Sequence, residues 1–154
     1  MKKHLMVIFL VGIVLTPYFA LAATDTANMQ VTASVSAKCR ISSVGDINFG
    51  EYDPTSSNPK DGDGNITIQC VKRTNYDVYI SGTRTMIGPE NEQLSFEIYR
   101  DAARTQAFPN NSPGITGQAQ NSSPIQIGAY GRIPAQQDVG TGNYTRTLTA
   151  TVSY

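Results

Sequence analysis

Apolar side chains fall on every second residue along much of this chain. In the terminal run GNYTRTLTATVSY, Tyr144, Leu148, Ala150, Val152 and Tyr154 lie on one side, with Thr145, Thr147, Thr149, Thr151 and Ser153 on the other. That period of two predicts a half-buried β-strand. The same period runs through Met29, Val31, Ala33, Val35, Ala37, Cys39 and Ile41, a stretch too long for one ordinary strand. Between them come Ile47 and Phe49; Ile66, Ile68 and Cys70; Tyr76, Val78 and Ile80; Leu94, Phe96 and Ile98; and Ile125, Ile127, Ala129 and Ile133. No segment carries a helical period of useful length. Seven short strands separated by Gly, Pro, Asn and Asp predict an all-β, antiparallel β-sandwich. The stretch from Ala107 to Pro124 is expected to be a surface loop.

The two ends of the pattern do not balance. The terminal strand runs to Tyr154, so no later segment follows to pair with its free edge, and the sandwich is expected to be one strand short. At the other end there is a strand too many. If Cys39 and Ile41 belong to the first strand, the segment from about Ala27 to Val35 is left over, with Met29, Val31, Ala33 and Val35 on its apolar face. An isolated strand cannot bury such a face.

The N-terminus changes the compartment. Lys2, Lys3 and His4 precede an apolar run from Leu5 to Leu15, followed by Pro17 and by Ala20-Leu21-Ala22, the small residues of a cleavage site. This predicts a signal peptide over residues 1–22, removed after Ala22 or Ala23. A membrane span would need roughly 20 apolar residues. Cleavage leaves 132 residues with ten basic and twelve acidic side chains and no histidine. That balance argues against a nucleic-acid partner and removes the commonest general base. Two cysteines, Cys39 and Cys70, in an exported chain predict one structural disulfide, which would restrict the unfolded chain by about 3.7 kcal/mol in the chain-entropy model.

The chemical motifs are weak. DGDGN sets Asp61, Asp63 and Asn65 at calcium-loop spacing, but Ile66 replaces the turn glycine and Lys72 the bidentate Glu. It is therefore expected to be a hairpin turn. Asp101 and Arg104 in YRDAART are expected to form a local, solvated pair. Nucleophilic catalysis needs a base beside a Ser, Cys or Thr, and carboxylates such as Asp46, Glu51 and Asp53 cannot be brought to a pocket from sequence alone. No enzyme activity, metal or cofactor is expected.

NFGEYDP (Asn48 to Pro54), FEIYRDAART (Phe96 to Thr105), AYGRIPAQQDVGTGNYTRTLTATVSY (Ala129 to Tyr154) and the Cys39/Cys70 pair together resemble the spore coat protein U domain family, which includes pilins of the archaic chaperone-usher pathway. The resemblance implies an incomplete immunoglobulin-like sandwich that lacks its last strand. It implies a periplasmic chaperone that lends a strand, an outer-membrane usher, and other pilin subunits as partners. The N-terminal extension of one subunit would replace the chaperone strand in the next. Carried to this chain, residues 23–36 form the donor extension, with Met29, Val31, Ala33 and Val35 as its apolar face. Residues 37–154 form the pilin domain, with Tyr144, Leu148, Ala150, Val152 and Tyr154 on the acceptor edge. The product would be a cell-surface fimbrium supporting adhesion or biofilm formation. The alternatives are a self-contained secreted or tip-located adhesin that recognises host carbohydrate or an abiotic surface through exposed loops and outward tyrosines such as Tyr79, Tyr99 and Tyr130, and a protective spore-coat protein.

Chain reach supports exchange between molecules. A donor lying parallel to the first strand needs a crossover of a dozen or more residues to fill its own groove. Only Ser36, Ala37 and Lys38 separate Val35 from Cys39. Each large apolar side chain buried in a partner contributes roughly 1.5 to 3 kcal/mol, and a head-to-tail exchange does not close, so it builds a fibre.

Overall fold

A computed structural model describes residues 22–154. The expected signal peptide lies, except for Ala22, outside them. Residues 22–33 belong to one unit and Ser34–Tyr154 form another. From Ala22 to Lys38 the chain holds no helix or strand, and every residue is exposed.

The second unit is all-β. Its strands are β1 (Cys39–Gly45), β2 (Lys60–Cys70), β3 (Asn75–Ser81), β4 (Thr85–Ile87), β5 (Gln93–Ser95), β6 (Glu97–Tyr99), β7 (Ile115–Gln118), β8 (Ile125–Ile133) and β9 (Thr149–Ser153). They form open antiparallel sheets in the orders β1-β2-β8-β6, β7-β3-β9 and β4-β5. The alternation read from the sequence sets which face is inward. Ile66, Ile68 and Cys70 of β2, Ala129 and Ile133 of β8 and Ile98 of β6 meet Val78 and Ile80 of β3 in one core. Cys39 pairs with Cys70 across the β1–β2 ladder, and the two are joined by a disulfide with Cα atoms 4.0 Å apart.

Four sequence expectations change. Asp61 to Gly64 do not turn: they lie within β2, paired with residues 129–132 of β8. Their glycines serve close approach instead of a bend. A Cβ on Gly62 would come within 2.9 Å of the Asn48 carbonyl oxygen, and one on Gly64 within 2.6 Å of the Gly45 carbonyl oxygen. Bare backbone here lets the segment after β1 cross the sheet face.

Arg104 does not pair with Asp101. Its guanidinium reaches Asp63 at 2.5 Å and Asp61 at 3.4 Å, and it lies over the Tyr130 ring. Asp101 instead accepts hydrogen bonds from the backbone N–H groups of Thr105 and Gln106, closing its own turn. The stretch from Ala107 to Pro124 contains β7, an edge strand added to β3. Asp77 of β3 anchors it, accepting from the Ser112 hydroxyl and the Gly114 N–H, each at 2.6 Å. Finally, Leu94 to Ile98 is two strands in different sheets, while Ile47 and Phe49 lie in no strand.

Candidate functional site: an open cleft between two sheet edges

β1 is an edge of the four-stranded sheet, and β9 is an edge of the three-stranded sheet. Among the described residues each pairs on one side only, leaving the backbone donors and acceptors of its other side outside any ladder. Val44 and Gly45 of β1 and Ala150 of β9 line the space between the two edges. Between them lies a cavity of about 450 Å³ floored by core residues: Ile66, Phe96, Ile98 and Ala129 from one side, Ile80 and Met86 from the other. It adjoins a second cavity of about 890 Å³, reaching Leu94, Ile133 and Val139. Asp46, Ile47, Phe49, Met86, Tyr144 and Thr145 line both, so the two share a wall and flank one cleft region.

Each wall has a local cause. On the β1 side the register shifts between Ile41 and Ser43, a bulge that breaks the alternation and leaves Val44 55% exposed at the cleft. Past Gly45, Ile47 and Phe49 fold back over the sheet, where Gly131 makes room: a Cβ there would lie 2.7 Å from the Phe49 ring. On the other side, Tyr144 to Leu148 precede β9 and are held by one bridge, with Ile87 and Thr145 exchanging N–H to C=O bonds of 3.1 and 3.2 Å. The Tyr144 ring lies against Gly88, where any side chain would overlap it.

A latch fixes that ring. The Tyr144 hydroxyl donates to the Glu92 carboxylate, which also accepts from the Gly140 N–H at 2.6 Å. The tyrosine hydroxyl holds Glu92 below the usual carboxylate range, with help from the Gly140 N–H. In return Glu92 pushes the Tyr144 hydroxyl up to about 12. Outside the cleft, hydrogen bonds from Arg132 keep Asp61 below its ordinary range.

Of the proposed acceptor residues, Tyr144, Leu148 and Ala150 line the cleft. Val152 lies opposite Val78 in the β3–β9 ladder, and Tyr154 is 62% exposed in a shallow depression beside Tyr76. Of the proposed donor residues, Met29, Val31 and Val35 are 88%, 86% and 81% exposed, and Ala33 is exposed too. The sequence places the groove between the first and last strands, but the stretch from Asp46 to Phe49 past β1 and Met86 of β4 are not among the expected groove residues. A three-residue strand such as β4 is too short to show a period. Among the described residues, no group of three or more His, Cys, Asp or Glu side chains is arranged to hold a metal.

The model of the Spore Coat Protein U domain matches residues 25–151. The chain belongs to that family. A Spore Coat Protein U relative, Protein U of Myxococcus xanthus, is 31% identical over 155 residues, covering 86% of this chain and 87% of its own. In fold, this family member is similar to a chain in the crystal structure of the CsuC–CsuE chaperone–tip adhesion subunit pre-assembly complex, from archaic chaperone-usher Csu pili of Acinetobacter baumannii. The TM-score is 0.56 at 19% identity over 78% of this chain, which spans two fifths (40%) of that solved chain.

Proposed function

We propose that this Spore Coat Protein U chain is a structural, non-enzymatic subunit of an exported chaperone-usher fibre, built by strand donation. The segment from about Ala27 to Val35 of one copy enters the cleft of the next. The observation that carries this reading is a complementary pair on one chain. An alternating apolar segment lies open to water, while an apolar cleft floored by core side chains has free backbone on both edges. A donated strand satisfies both at once, its backbone completing the ladders and its alternate side chains filling the floor. The fold shared with the Csu complex supports a chaperone that covers the cleft before assembly, an usher, and a cell-surface destination serving adhesion or biofilm formation.

A second reading keeps the same assembly but makes the product a protective coat, which the likeness to Protein U and the family's name favour. Electron microscopy of immunolabelled cells separates thin surface fibres from a continuous layer. The assembly itself is tested with mature protein purified from the periplasm with its chaperone, then released and run unboiled on a denaturing gel. The expected outcome is a ladder of subunit multiples that collapses on boiling and disappears when residues 23–35 are deleted. A stable monomer in the absence of any chaperone would overturn it.

A further inference from the structure

The exposed charges of the domain are sorted between its two poles. β1 runs from a disulfide pole, where Cys39 pairs with Cys70, to a cleft pole, where Gly45 pairs with Asn65. Lys38, Arg40, Lys72 and Arg73 are gathered at the disulfide pole, and all four are exposed. The Val71 N–H donates to the Lys38 carbonyl at 2.8 Å, and the Arg73 N–H to the Ala119 carbonyl at 2.7 Å, so the strand root and the β2–β3 turn are tied side by side. The nearby acid of β3, Asp77, is occupied by Ser112 and Gly114.

The cleft pole carries the opposite sign. Asp46 and Glu51 line the cleft, Asp53 follows, and Glu90 and Asp138 stand on the adjoining turns, all exposed. Arg104 and Arg132 are engaged with Asp61 and Asp63 in the three ion pairs found among the described residues. Lys60, Arg146 and the partly buried Arg84, whose guanidinium donates to the Ile80 carbonyl, are basic side chains near that pole, fewer than the acidic ones.

We infer that successive copies meet through these poles: the Lys38, Arg40, Lys72 and Arg73 cluster of one copy sits over the Asp46 and Glu51 rim of the next, and this contact selects a donor running parallel to β1. The inference rests on the donor reading above. A parallel donor finishes at the Gly45 end of the receiving cleft. Three residues span at most about 11 Å, so Lys38 follows Val35 onto that rim within roughly one Debye length. An antiparallel donor would instead bring the same cluster against its counterpart on the receiving copy, like charge on like. Rim charges of this kind act chiefly on encounter rate and orientation.

The test follows polymerisation of chaperone-released full mature chain at low salt. Lys38→Glu with Arg40→Glu is expected to slow growth about tenfold, and added sodium chloride to slow the unaltered protein by a comparable factor. Adding Asp46→Lys and Glu51→Lys to the reversed chain is expected to restore self-assembly, while mixtures with unaltered protein sort into separate polymers. Rescue by the swap also shows that the reversed chain folds. Growth that depends on residues 23–35 but ignores salt and both reversals would overturn the polar contact and leave strand donation standing. Growth that survives deletion of residues 23–35 would overturn the donor reading and this inference with it.

Discussion

Residues 29–35 and 144–154 carry the same alternation of apolar and polar side chains, and the fold treats them oppositely. The second run reaches a sheet: Val152 faces Val78, Ala150 pairs with Ile80, and Leu148 and Tyr144 wall the cleft. The first forms no strand and leaves Met29, Val31 and Val35 more than four-fifths exposed. A strand pattern is a request for a neighbour, and the request is met only when topology supplies an edge within reach. The contrast points outward for the first run.

The comparison breaks most sharply under charge. Leu148→Asp puts a carboxylate against the core side of the cleft, beside the close approach of Leu148 to Gly82, and is expected to cost about 3 kcal/mol or more of subunit stability. Urea unfolding of the chaperone-released subunit measures it. Replacing both Cys39 and Cys70 by Ala is expected to cost about 2 to 5 kcal/mol, read in the same way.

Val35→Asp is the mirror experiment. It leaves the unfolding midpoint of the isolated subunit within about 0.5 kcal/mol of the original, since the side chain touches no core, yet slows fibre growth at least about tenfold. Equal growth rates would remove Val35 from the donor face.

The smallest effect is spectroscopic. Tyr144 favours its protonated form in the fold, so the latch contributes fully below a tyrosine's ordinary value of 10 and is lost as pH rises through about 12. Glu92, depressed, contributes above the ordinary carboxylate range and is lost as pH falls through its lowered folded value. Alkaline absorbance titration is expected to show Tyr144 ionising near 12, and Glu92→Gln to lower it toward the ordinary value of 10.

Much of this was legible in the sequence because period two survives wherever a strand buries one face. Ile66, Ile68 and Cys70, or Val78 and Ile80, show it plainly. It fails where a different constraint governs the backbone. Asp61 to Gly64 looked like a turn because glycine is shared by turns and by close crossings, and only the packing of Ile47 and Phe49 tells them apart. β7 was hidden because an edge strand with one half-buried isoleucine, Ile115, buries too little to leave a pattern. The long-range partner of Arg104 was hidden because forty-one residues separate it from Asp63. On the acceptor edge, the alternation placed Val152 and Tyr154 in line with Leu148. The cleft, however, takes that wall from Tyr144 to Leu148 and Ala150, and Val152 and Tyr154 are not part of its lining.

The disulfide takes on a different meaning once the chain is under tension. In the proposed fibre, held by its extensions, a pull on one copy would enter the domain at Lys38 and arrive at Cys39, the first residue of an edge strand. An edge strand hauled from its tip peels, losing its ladder one bond after another. The Cys39–Cys70 crosslink sits at that tip and hands the load to β2, which is flanked on both sides by β1 and β8. Rupture then has to shear a strand out of the middle of a sheet. The bond that looks like a staple for folding is also where the thread is knotted to the cloth.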